Sequence, residues 1–293
     1  MSKGRENRTY KDSVFVDLFS TDEKAKERFL SLYNALHQTQ LPPYCPVEQL
    51  KLDNVMYRGL SNDVSCLVDN KIIVLAEHQS TINENMPLRC LEYIARLYEH
   101  ILAPTARYHR TLQKIPAPEF YVFYNGIESY PVNKILKLSD AFITKPAPIP
   151  LELTVEVVNI NKDKENRILK SCKALDEYSL FFEEVRIQKQ LDPENGFTNA
   201  VKICIQKGIL KEYLQRKSKE VINMLIAEYD YETDIAVQRA EEREIAFADG
   251  VRKTTLKTAT ALRSMGFDIS QIMQATGLTQ DEIEQLPLHG ETE

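Results

Sequence analysis

Apolar positions recur at helical spacing from residue 10 to residue 38, at Phe15, Leu18 and Phe19 and again at Phe29, Leu30, Leu32, Tyr33 and Leu36. This predicts helix with a short break near Thr21, ended by the prolines of Leu41-Pro42-Pro43-Tyr44-Cys45-Pro46, because proline cannot continue a helix. The pattern then changes. Residues 47–57 alternate loosely, Asp63-Val64-Ser65-Cys66-Leu67-Val68 reads as a short strand, Asp69-Asn70 as a turn, and 71–77 as a strongly apolar strand. A strand apolar on both faces belongs at the centre of a sheet with helices on each side. Helical spacing returns over 87–109, with Leu88, Leu91, Ile94, Ala95, Tyr98, Ile101 and Leu102 apolar. Strands follow at 119–124, closed by the turn pair Asn125-Gly126, and at 151–160. Helices in pieces fill 166–190 and 195–229. The expected fold is α/β, a mixed central sheet flanked by helices, in the order α-β-β-β-α-β-β-α.

Beyond this the pattern predicts a helical extension. Residues 232–264 form a long charged helical stretch interrupted at Gly250, and 265–286 hold two short helices. Asp268 with Gln271, and Thr279 with Glu282, match capping boxes. The tail has helix-turn-helix proportions, but its second helix, Gln280-Asp281-Glu282-Ile283-Glu284-Gln285, carries acidic residues that repel phosphates. Packing or oligomerisation is the better reading there. Domains are expected at 1–230 and 231–293.

Composition narrows the chemistry. At 43% hydrophobic and 27% charged the chain reads as a soluble globular protein. With 9 glycines and no GxGxxG or GxxxxGK[ST], nothing points to an organic cofactor. The five cysteines, an odd number without a CxxC pair, fit reduced thiols rather than a disulfide framework. The polar N-terminus lacks an apolar signal core, and no apolar run approaches the ~18 residues of a membrane span. A cytoplasmic protein without membrane contact is expected. Residues 210–293 carry 10 Lys and Arg against 16 Asp and Glu, which accounts for the whole net charge of −6. The front of the chain is neutral and can still present a basic cleft, since local potential outweighs total charge.

The candidate chemistry sits on the hairpin. A carboxylate that finishes an apolar strand, as Glu77 does, is costly to bury unpaired. Strict alternation puts Glu77 and Gln79 on one face and His78 on the other. Whether Asp63 joins them depends on register. A two-residue turn at Asp69-Asn70 pairs Val68 with Lys71 and sets Asp63 opposite Ala76, on the wrong face. A three-residue turn at 69–71, or a bulge, pairs Asp63 with Glu77, and this is the arrangement we expect. Two carboxylates at short range repel and call for a hard divalent cation. Mg²⁺, with Mn²⁺ as an acceptable substitute, fits Asp63 and Glu77. It would supply a water as nucleophile toward phosphorus, with Gln79 orienting that water or a phosphate oxygen.

Asp63, then Glu77-His78-Gln79 ending an apolar strand, then a helix with Arg89 and Tyr93, resembles the PD-(D/E)XK nucleases and more narrowly the recombination-promoting nuclease (Rpn) family, also described as transposase-like. Asp12-Ser13-Val14-Phe15 with Leu18-Phe19, Ile160-Asn161 after a strand, and Thr276-Gly277-Leu278 with Glu282-Ile283 resemble the same family in the same order, over nearly the whole chain. The resemblance implies a DNA endonuclease with a restriction-endonuclease-like sheet in 1–230, a homodimer, and a setting in recombination, mobile elements or phage defence. The wider superfamily has lysine where Gln79 stands, and often an acidic residue from the first helix. Asp12 is the candidate for that residue, with Asp17 as the alternative.

Plainer roles compete with these. Asp63 could cap a turn. Arg89, near a helix start where the dipole disfavours a cation, could reach a phosphate or pair with Glu92 or Glu84. Tyr93 reads as core, His78 as structural, and His37, His100, His109 and His289 lack metal-ligand spacing. Besides the endonuclease, a protein of the same family with a decayed site, kept for DNA binding or assembly, and a protein-binding regulator remain as alternatives.

Overall fold

The computed structural model describes residues 13–50, 64–79, 82–162 and 166–286, with side chains for all of these except 74–79, 230–246 and 248–249. The chain divides into two units, Met1–Glu228 and Tyr229–Glu293.

The first unit opens with α1 (Val14–Val16), capped by the Ser13 side chain, which passes directly into a π-helical turn (Asp17–Thr21) and then α2 (Ala25–His37). The strands are β1 (Glu48–Gln49), β2 (Val64–Val68), β3 (Lys71–Gln79), β4 (Ala117–Tyr124), β5 (Asn133–Lys137) and β6 (Thr154–Asn159), with α3 (Met86–Ile101) between β3 and β4. They form one mixed sheet in the order β1-β2-β3-β4-β6-β5. β2 runs antiparallel to both β1 and β3, β3, β4 and β6 are parallel, and β5 returns antiparallel along β6. β5 was not anticipated. Asn133-Lys134-Ile135-Leu136-Lys137 buries only Leu136, so on an edge it needs a single apolar residue and carries no sequence pattern.

α4 (Arg167–Ser171), α5 (Lys173–Leu191), α6 (Gly196–Lys207) and the beginning of α7 (Lys211–Ser264) complete the unit. The sheet separates two cores. On one face Ile73, Cys66, Phe123 and Val158 pack with α1, α2, α5 and α6 through Phe15, Phe29, Tyr178 and Phe181. On the other, Ile72, Phe120, Val122 and Val157 pack with α3 through Met86, Cys90, Ile94 and Leu97. Neighbouring residues Ile72 and Ile73 thus belong to opposite cores, which is why β3 reads as apolar without alternation.

α7 is joined to the fold by charge. Its non-helical break at Lys217 sits where the Lys217 ammonium meets both carboxylate oxygens of buried Asp17, at 2.8 and 2.9 Å. Tyr213 and Thr21 donate to the same carboxylate. Arg28 and Arg216 clasp Asp22 in the same way. Burial works against the Asp22 charge, but the Lys24 amide and Arg28 outweigh it and hold the carboxyl below its usual range.

In the second unit α7 continues through Gly250 without the expected interruption, because a glycine at an exposed helical position costs only about 1 kcal/mol. α8 (Ile269–Thr276) and α9 (Gln280–Glu284) both form their capping boxes. They enclose a small core of Ala259, Ile272, Leu278 and Ile283. Arg263 donates to the carbonyls of Ile283, Glu284 and Leu286, neutralising the C-terminal end of α9. Among the described residues no helix is long and apolar enough to cross a membrane.

Candidate functional site

The hairpin that carries the candidate carboxylates is closed by a two-residue turn. Val68 pairs with Lys71 and Val64 with Leu75, and Asp69 and Asn70 take φ of 49° and 60°. The expected three-residue turn at 69–71 is therefore not formed. Asp and Asn tolerate left-handed backbone, and two such residues in succession make the turn whose twist matches the strands. The pairing is described as far as Val64; Asp63, with Asp12, lies outside the described residues.

A bulge does occur, further along. Ala76 pairs with Val122 on β4, but Gln79 pairs with Tyr124, so β3 contains one extra residue between them. Gln79 therefore takes the row that strict alternation would give to His78. The backbone register is thus interrupted within the stretch over which alternation was read. The side chains of Glu77, His78 and Gln79 lie outside the described ones.

The backbone still gathers these positions at one end of the sheet. Gln79, Tyr124 and Asn159 share a row across three parallel strands, and their C-terminal ends form the edge at which open α/β sheets bind ligands. α3 starts from the same edge, with half-buried Arg89 in its first turn. Glu84, one of the partners considered for Arg89, is held by Lys134 at 2.6 Å. Tyr93 is a core residue whose hydroxyl meets that of Ser65 at 2.8 Å. Asp17, the alternative acidic residue, has both oxygens committed to Lys217, Tyr213 and Thr21 and serves the fold. Among the described residues no group of three or more His, Cys, Asp or Glu is placed to hold a metal ion.

One residue past the shared row lies a polar group that the sequence pattern does not single out. Asn125 is 1% exposed. Its backbone carbonyl accepts from Arg186 Nη1 at 2.5 Å, and its side-chain Oδ1 accepts from Arg186 Nη2 at 3.0 Å. Asn161, past the end of β6, accepts from Arg186 Nη2 at 3.3 Å and donates to the Gly126 carbonyl at 2.9 Å. Asn159, fully buried, receives the Asn161 amide and donates to the Tyr130 carbonyl. Burial pushes the Arg186 guanidinium below its usual range. Asn125-Gly126 reads simply as a turn in sequence. The usable signal was Arg186 itself, a cation at i+7 and i+4 from buried Ser179 and Phe182, on the inward stripe of an amphipathic helix.

The chain matches no family model, no curated protein and no solved structure. What the site can do is therefore argued from its own residues. At the opposite end of the same strands, Glu119 is held by Lys71 at 2.7 Å and His37 at 2.5 Å, with Tyr121 donating to it at 3.2 Å. This cluster ties α2 to β3 and β4 and has no part in the C-terminal edge.

Proposed function

We propose that this protein is a metal-dependent DNA endonuclease whose reacting groups are Asp63, Glu77 and Gln79. The observation that carries the reading is the row that Gln79 shares with Tyr124 and Asn159, at the C-terminal ends of three parallel strands. The pairing of Val64 with Leu75 brings the start of β2 to that end of the sheet, although its register alone does not favour Asp63 on the face of Glu77. The order α-β-β-β-α-β running into this hairpin supports a restriction-endonuclease-like core, as does the Rpn resemblance.

A donor set of two carboxylates and a carboxamide suits a hard cation, and Asp63 and Glu77 would hold Mg²⁺ or Mn²⁺. The ion would supply a bound water of lowered pKa and charge neutralisation at phosphorus. Gln79 cannot take a proton, so its part is to orient the water or a phosphate oxygen by hydrogen bond. A homodimer acting in the cytoplasm on recombining or invading DNA is the setting the resemblance carries.

The test is conversion of supercoiled plasmid to open-circular or linear form with added Mg²⁺ or Mn²⁺. Wild type should cleave, and Asp63→Ala and Glu77→Ala should lose at least about 100-fold in rate, a typical loss for an essential stabilising group. Equal cleavage by the variants would remove the assignment. The interrupted alternation at Glu77–Gln79 favours a second reading, a decayed site kept for DNA binding or assembly. Salt-sensitive binding without cleavage under either ion would select it.

A further inference from the structure

The Arg186 guanidinium is half-buried, and among the described residues it is bonded only to neutral oxygens. Its acceptors are the Asn125 carbonyl, Asn125 Oδ1 and Asn161 Oδ1. Glu183 is the carboxylate that most influences it, yet among the described residues no carboxylate lies within ion-pair distance of it. Cations in this position are ordinarily paired, since burying a charge without a counter-charge is costly. Three of the five guanidinium N–H donors are used by those oxygens, which leaves two.

Asn125 adds to the excess of donors. Arginine only donates, so the amide must turn Oδ1 toward Nη2, and Nδ2 is then fixed as the other end. That nitrogen is buried and has no acceptor among the described residues. A buried donor without an acceptor, beside a cation that the described residues leave without an ion pair, suits an anion at this place. The place is specific: one residue beyond the row of Gln79, Tyr124 and Asn159, with strands about 5 Å apart.

We propose that Arg186, positioned by Asn125 and Asn161, binds a phosphate of the nucleic-acid backbone at the C-terminal edge of the sheet. Only the identity of the anion rests on the endonuclease reading; the preference for an anion is argued from the donors themselves. Asn161 is held by Gly126 and Asn159, so the guanidinium is set before the phosphate arrives, and its planar fork suits two phosphate oxygens.

The experiment is fluorescence-anisotropy titration of the full chain with a labelled DNA duplex, without divalent metal, over a KCl series. Removing one phosphate contact lowers the magnitude of the slope of log K against log [KCl] by about 0.9. Arg186→Gln should show that loss and bind more weakly, while Arg186→Lys should keep most of the slope. Folding is checked by circular dichroism. A folded Arg186→Gln with the wild-type slope overturns the proposal, as does a wild type that does not bind the duplex at low salt. Should Arg186→Gln fail to fold, the ¹⁵N-labelled arginine Nε–H signal of wild type, assigned through Arg186→Lys, must move on adding the duplex; a stationary signal overturns the proposal equally. Because cleavage is not measured, the two readings fail separately. A Glu77→Ala protein that still cleaves would sink the endonuclease site and leave the anion site standing.

Discussion

Asp17 shows how a residue's surroundings decide its role. It is acidic, near the start of the chain and 3% exposed, and from sequence it competes with Asp12 as an acidic residue of the site. Its carboxylate instead accepts from Lys217, Tyr213 and Thr21. Burial and the adjacent Asp17 charge push the Tyr213 phenol far above its usual value, so it stays a donor. Asp17→Ala leaves the Lys217 ammonium only the longer contact to Asp22, at 3.7 Å, and should cost about 3 kcal/mol, read as a lower urea midpoint at unchanged m-value. A midpoint equal to wild type would mean that the pair does not hold α7 to the fold. The helical spacing around Asp17 was legible in the sequence. Its partners on α7 were not, because they lie about 200 positions away, at Tyr213 and Lys217.

At the scale of elements, the hairpin of β2 and β3 is the informative one. Both strands and the turn pair were visible as a short strand, an apolar run and Asp69-Asn70 between them. The loop length was not, because the candidate site argued for a longer turn and the local chemistry for a shorter one. The local chemistry prevails: Asn70 holds φ of 60°, a conformation that costs a β-branched residue about 1–2 kcal/mol. Asn70→Val should therefore destabilise the protein by that amount in chemical denaturation, and Asn70→Gly should not. Should valine be tolerated as well as glycine, the turn is not the one described. The bulge of β3 was beyond sequence, since nothing in Ala76-Glu77-His78-Gln79 marks an extra residue. It exists only relative to β4, whose partner residues lie more than 40 positions on.

For the whole molecule, acid should act through the cluster that joins α2, β3 and β4. Burial raises the Glu119 pKa, but hydrogen bonds from Lys71 and His37 and their charges outweigh it, and the carboxyl is held below its usual value. Tyr121 and Tyr33 pack beside it. A carboxylate with a depressed folded-state pKa contributes stability that is fully present above its unfolded value, near 4.3, and is lost as pH falls through the folded value. Thermal stability should thus decline below about pH 4.5 more steeply in wild type than in Glu119→Gln. Parallel decline in the two proteins would show that the cluster is not linked to folding.

The elements and their burial were written into the chain locally. Periods of 3.6 and 2 are local properties, as are proline stops, capping boxes and the turn pair, and they sufficed for a mixed α/β chain with a central apolar strand and a helical tail. Tertiary contacts decided which groups meet across distance. They paired Val64 with Leu75, inserted a residue into β3 against β4, committed Asp17 to Lys217, and aimed Arg186 at the ends of β4 and β6. Except for the hairpin pairing, which the local turn selects, each is a contact between segments whose separation leaves no periodic trace, and whose geometry is fixed only once the sheet has closed its register.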